Sequence, residues 1–383
     1  MKFHPRMVVI IFGILILYTG INFYLGLNLM WWLDSLDIGY SSLWLWMILS
    51  VFAYGYIIGR IPLSKYIAPV ARLLKVLGSC WIYVIEIGLI LALIVDLGGV
   101  VVRLVGGELL TYTQFFGTIA IVSLVLSMVV GMKNAYSPIV RKYSIKIDKK
   151  GRQFHKLNVV VASDIHLGNL VGNRHIRRLV KQVDVLKPDL VLLPGDVIDD
   201  SIEPFLRKEM SKELAKLKAK HGVYAILGNH EYYGGHIEQY VQKMKEIGIR
   251  VLQDEVVELH DSLYIVGRKD KTAESTGPEG RVAVGELTAD LMKDKPIILL
   301  DHQPTMFQQA ADAGVDLMLS GHTHRGQYVP NHLFTKRLFE LDWGYMRKHA
   351  MHVIVSSGFG FWGPPVRLGS RSEIIHVTIE FDL

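Results

Sequence analysis

The sequence predicts an all-α, four-helix transmembrane region followed by a layered α/β domain. Three observations carry that prediction. The first third holds long runs without charge, whereas the rest mixes charged and apolar residues. Beyond residue 157, short β-branched runs alternate with stretches of helical spacing, the pattern of an α/β fold with both sheet faces covered. Towards the carboxyl end the strands read as antiparallel pairs, which favours two packed sheets over a single parallel one.

The chain has 383 residues, enough for more than one domain. Half of them are hydrophobic, and the mean hydropathy is positive. Its one cysteine, Cys80, excludes an internal disulfide and a thiolate metal cluster. The net charge of +6 gathers beside the apolar runs, so it reads as membrane orientation and not as a partner surface for a nucleic-acid polymer.

Residues 7–29, 41–59, 76–102 and 115–132 are the four apolar runs. Glu86 and Asp96 interrupt the third; an isolated acid such as Glu86 reads as a packing residue inside a small bundle. Lys and Arg alternate between the loops. Lys2 and Arg6 precede the first run, and residues 30–40 have neither type. Arg60, Lys65, Arg72 and Lys75 follow the second run, and Arg103 alone follows the third. Seven basic residues, from Lys133 to Arg152, follow the fourth. Four crossings then place a multi-pass protein in the cell membrane, with the bilayer as partner and the soluble domain in the cytoplasm. The expected divisions are a membrane region at 1–134, a basic linker with a short strand at 135–156, and the soluble domain at 157–383.

Within the soluble part, strands are expected at 157–162, 189–193, 222–227, 297–300, 315–319, 352–356 and 374–381, with paired strands over 250–267. Helices are expected at 172–186, 205–220, 236–247 and 304–313. Five of these strands end in loops that carry potential ligands. They are Asp164 and His166; Asp196 and Asp199; Asn229 and His230; His302; and His322 with His324. Open α/β sheets gather ligands at the carboxyl ends of their strands, so these groups should meet. Imidazole, carboxylate and amide oxygen suit manganese, iron or zinc. There are too many donors for one tetrahedral site, and two divalent metal ions sharing a carboxylate is the natural count. His322 and His324 would then serve different metals.

The stretches Asp164-Ile165-His166, Gly195-Asp196-Val197-Ile198-Asp199, Gly228-Asn229-His230-Glu231, His302 and Gly321-His322-Thr323-His324 resemble the calcineurin-like metallophosphoesterase family. Placed behind a hydrophobic region, they look like its bacterial membrane-anchored subgroup. The resemblance implies a four-layer α/β/β/α sandwich and a metal-dependent phosphoric ester hydrolase, a phosphodiesterase or phosphatase. It also implies roles. Asp164, His166 and His324 would hold one metal, Asn229, His302 and His322 the other, and Asp196 would bridge them. His230 would assist the leaving oxygen with Asp199 orienting its ring, while a metal-bridged hydroxide attacks phosphorus. The family's fourth block often reads Gly-His, where this chain has Asp301-His302.

The substrate is less constrained. A phosphodiester, phosphomonoester or pyrophosphate all fit, and a lipid-linked one suits a membrane setting. Phe359, Phe361 and Trp362 stand among glycines and prolines as candidate exposed rings, and Arg325 and Arg367 could pair with a phosphate oxygen. A metal-stabilised, non-catalytic membrane scaffold or sensor domain is the rival reading. The intact Gly228-Asn229-His230-Glu231 argues for an enzyme.

Overall fold

The computed structural model describes residues 5–61, 66–276 and 280–382. Lys2 and Lys65 of the orientation count lie outside them. The chain divides into two compact units, residues 1–130 with 363–366 and residues 131–362 with 367–383.

The first unit is helical: α1 (Pro5–Ser35), α2 (Ser42–Ile58), α3 (Ala68–Leu104) and most of α4 (Leu109–Tyr136). Among the described residues, three helices (α1, α3 and α4) are long and apolar enough to cross a membrane. The 17 residues of α2 rise about 25 Å, short of a hydrocarbon core of about 30 Å. Polar side chains tie the helices together, as expected where apolar contact gives no preference over lipid. Trp81 Nε1 donates to Asn22 Oδ1 at 2.7 Å, Trp32 Nε1 to Thr118 Oγ1 at 3.0 Å, and Tyr83 and Ser127 share a 2.8 Å bond.

The second unit stacks two six-stranded sheets. One runs β1 (Ile139–Lys150), β12 (Glu373–Asp382), β2 (Lys156–Val161), β3 (Leu190–Pro194), β4 (Val223–Ile226), β5 (Ile249–Leu252). The other runs β10 (Gly344–Lys348), β11 (Met351–Val355), β9 (Leu317–Ser320), β8 (Ile297–Leu300), β7 (Leu263–Gly267), β6 (Glu255–Leu259). Period-two alternation explains why the central strands read as unbroken apolar runs. Val159 and Val161 point between the sheets, where Leu190, Leu192, Leu300 and Leu319 also pack. Val160, Val191 and Leu193 point outward under helix α5 (Asn173–Leu186) and its neighbours. Val266, Leu299 and Met318 face outward on the other side, beneath Phe307 and Ala310. The result is the α/β/β/α order.

Three expectations change. The linker at 135–156 contains the 12-residue β1, paired in parallel with β12, so it belongs to the sheet. The helix expected over 205–220 is two short ones, Glu203–Arg207 and Met210–Leu214, divided at Glu209 with φ 47°. A continuous helix would set residues 205 and 210 about 140° apart, whereas the break lets Phe205, Met210 and Leu214 bury together. Within 250–267, β6 and β7 pair antiparallel, but β5 joins β4 in the other sheet.

Candidate metal centre

Loops after β2, β3, β4, β8 and β9 bring the expected residues together. Asp164, His166, Asp196, Asn229, His230, His302 and His324 are all buried. Several of the expected site residues hold left-handed backbone: Asp164 at φ 53°, His166 at 51°, Asp196 at 52°, His324 at 48° and the half-buried His322 at 70°. Each such conformation costs of order 1–3 kcal/mol in a residue other than glycine, and strain of this kind gathers at functional sites. Two glycines permit the close approach. A Cβ on Gly228 would lie 2.2 Å from Asp196 Oδ1, and one on Gly321 would lie 1.9 Å from Ser163 Oγ.

Two donor sets meet at Asp196. In the first, His166 Nε2 and His324 Nε2 stand 3.0 Å apart, and Asp164 Oδ1 is 3.4 Å from His324 Nε2. In the second, Asn229 Oδ1 is 3.1 Å from His302 Nε2 and 2.8 Å from His322 Nδ1. Asp196 Oδ2 reaches both, 3.7 Å from His166 Nε2 and 3.2 Å from His302 Nε2. His302 donates Nδ1–H to Pro194 O at 2.8 Å, which aims Nε2 into the cluster.

The electrostatics suit a cation. Burial and then His230 pull the His166 pKa down to about 3. Burial and His302 pull His322 down to about 4. Burial, His166 and Arg367 hold His324 well below the usual range. These three imidazoles are neutral and keep lone pairs for a ligand. Burial opposes charge on His302, yet Asp196 and Asp164 hold its pKa well above the usual value. Carboxylates at the centre thus favour positive charge beside them, and the donor set fits divalent transition metals.

His230 lies beside the cluster, its ring centroid 4.6 Å from that of His166. Burial lowers its pKa, but the Asp200 hydrogen bond and the Asp196 charge outweigh this and raise it to about 9. The bond from Nδ1 to Asp200 Oδ1 measures 2.7 Å, and Asp199 Oδ1 is 3.7 Å away. The expectation that Asp199 orients this ring is therefore corrected to Asp200. Asp200 itself has φ 43°, a turn that brings its carboxylate back to the ring. Asp199 Oδ1 stands 4.0 Å from His166 Nδ1.

Three further residues gain roles. Glu231 Oε2 accepts from Gly228 N at 2.7 Å and Asp196 N at 3.1 Å, and its Oε1 accepts from Ile198 N at 2.9 Å. Asp301 pairs with Arg268 at 3.1 Å and Arg281 at 3.4 Å, which accounts for an acid in place of glycine before His302. Arg367 is fully buried and offers no group to a phosphate. Its Nη2 donates to Ser357 O at 2.6 Å and Gly360 O at 2.8 Å; these take both protons and leave His324 Nδ1, at 3.1 Å, a close neighbour. Arg325 stacks 4.0 Å over Trp343. Phe359 and Phe361 are buried, and Trp362 is exposed, 6.1 Å from the His230 ring.

Residues 157–326 match the family model for calcineurin-like phosphoesterases. An uncharacterized metallophosphoesterase of Aquifex aeolicus is 34% identical over 245 residues, which cover 63% of this chain and 91% of that protein. A "transmembrane protein with metallophosphoesterase domain" of Danio rerio is 31% identical over 274 residues, 68% of this chain and 62% of that protein.

Proposed function

The chain belongs to the calcineurin-like phosphoesterase family and is a metal-dependent phosphoric ester hydrolase, and we propose that it works through two divalent cations on a phosphoester held at a membrane. Asp164, His166 and His324 would bind one cation, Asn229, His302 and His322 the other, with Asp196 shared. The observation that carries this is the position of Asp196 Oδ2, within 3.7 Å of one donor set and 3.2 Å of the other. When bound, such a pair activates water as a nucleophile and neutralises charge on the phosphoryl group. Manganese, iron and zinc all suit the donors.

The protein's own contribution is placement and a proton. Asp200 fixes the His230 ring so that Nε2 carries a proton towards the cluster, where a departing oxygen would receive it. Exposed Trp362 and Tyr233 flank that histidine, with ring centroids 6.1 and 5.8 Å from it. Apolar rings beside the leaving-group side support a lipid-linked phosphodiester, monoester or pyrophosphate. The loop charges support a cell-membrane location, and they support the catalytic unit in the cytoplasm when α2, whose 17 residues are at the lower end of spanning length, is counted as a crossing.

Hydrolysis of an aryl phosphodiester by the full chain in detergent, with and without manganese, tests the core of this reading. A phospholipid and lipid-pyrophosphate panel then tests the substrate class. No hydrolysis of any of these by metal-loaded protein would favour the non-catalytic scaffold or sensor. Protease access to the carboxyl terminus in sealed vesicles tests the side.

A further inference from the structure

We propose that the helical unit binds one phospholipid whose headgroup carries a hydrogen-bond donor. The site is a cavity of about 1010 Å³ lined by α1, α3 and α4, with Leu49 of α2, at the end of the bundle where α1 stops and α4 begins. This is the upper end of the ~300–1,000 Å³ typical of small-molecule sites. The site is separate from the metal centre and does not depend on its chemistry.

The lining is layered along α3. Arg103, the penultimate residue of that helix, lines one end. Asp96 lies seven residues earlier, two turns down the same face and about 10 Å along the axis, level with Asn28 of α1. Gly88 lies eight residues earlier again, and from there the walls are apolar, with Leu25, Trp81 and Leu124. A ligand that fills this space is amphipathic, with its head at Arg103 and Asp96 and its tail past Gly88. The bilayer in which these helices sit supplies such molecules at high concentration.

The headgroup follows from two groups whose bonding is incomplete. Asp96 Oδ2 accepts from Tyr24 Oη at 2.5 Å and Asn28 Nδ2 at 3.3 Å, and its Oδ1 has no partner among the described residues. A carboxylate at this depth is costly unless its lone pairs are met. Arg103 makes no ion pair among the described residues and lines the same space. A phosphate answers Arg103, and an N–H or O–H donor answers Asp96. Phosphatidylethanolamine and phosphatidylglycerol offer both. Phosphatidylcholine offers the same phosphate and chains but no donor.

The full chain would be reconstituted with equal parts of the dioleoyl forms of these three lipids, repurified in lipid-free detergent, and its retained lipid counted by mass spectrometry. About one phospholipid per chain is expected, with the two donor-bearing lipids favoured over phosphatidylcholine about tenfold, the effect of one charge-assisted hydrogen bond. Asp96→Asn should keep a lipid but lose the preference. A Cβ at Gly88 would sit in ordinary contact, 3.7 Å from Leu25 Cδ2, so Gly88→Leu should fill the apolar end and bring retention to background. Ala120→Leu fills the same space from α4 should Gly88→Leu not fold. The proposal is overturned by equal retention of phosphatidylcholine in the wild type. Undiminished lipid in a folded cavity-filling variant, no retained phospholipid, or a different class of molecule at one per chain would overturn it too.

Discussion

Replacing Glu231 by Gln tests whether the metal centre depends on one buried carboxylate that is not itself a ligand. Glu231 is 1% exposed, and its two oxygens take three backbone N–H groups, from Asp196, Ile198 and Gly228. It therefore pins the loop after β3 to the loop after β4. Glutamine has the same shape but one oxygen. With that oxygen at the Oε2 position, it keeps Gly228 and Asp196, and its NH₂ then faces the N–H of Ile198. One buried donor is left unsatisfied, at about 1–3 kcal/mol. Burial and then the Asp196 charge raise the Glu231 pKa to about 8, so above that pH the other two bonds lose charge assistance as well. In melts above about pH 8 the total of about 2–4 kcal/mol corresponds to a fall of roughly 5–15 °C in Tm for a unit of this size. Melts of the full chain in detergent should use excess chelator, because bound metal raises apparent stability by mass action. The same loops carry Asp196 and Asn229, so manganese affinity should fall about 10–100-fold, as for other groups that orient ligands from behind. A Tm within 2 °C of wild type together with unchanged manganese affinity would refute the assignment.

His230→Ala should keep its metal and lose about 10²–10⁴ in kcat on an aryl phosphodiester; full turnover with metal bound would remove the proton-donor role. Asp196→Ala should lose metal outright, seen as a fall in manganese by elemental analysis after gel filtration, since Asp196 stands within reach of both donor sets. Acid stability should report His175, whose pKa burial pulls from 6.5 down to about 4, against the opposing hydrogen bond to Phe359 O. A depressed folded pKa means that the unfolded chain takes the proton first, so the stabilisation is full above about pH 6.5 and lost as pH falls towards 4. The shift corresponds to roughly 3 kcal/mol. Melts between pH 7 and 4 should show a shallower acid decline for His175→Gln than for wild type, and parallel curves would refute the linkage.

What the sequence discloses here and what it hides have separate physical origins. β2, β3, β4, β8 and β9 are covered on both faces, so each is an apolar run that stops where its polar loop begins. A ligand just past such a stop stands out, and all five loops are readable in that way. β1 hides because most of its exposed positions carry charges, as edge strands do, and the alternating Lys142, Lys146, Asp148 and Lys150 read as a linker. The split at Glu209 hides because it answers the burial of Phe205 with Met210, a tertiary demand that outweighs local helix propensity. At the centre itself, Asp199 and Asp200 are neighbours of the same type, and which one reaches His230 is decided by a left-handed turn at Asp200. Glu231 and Arg367 act on backbone atoms, which every residue has, so no side-chain pattern announces their partners. The proposed ligands are thus marked by their residue types and by their place just past each apolar strand. The groups that hold the ligands in strained backbone become visible only once the main chain is placed, and the stability of those groups is what keeps the two donor sets on one shared carboxylate.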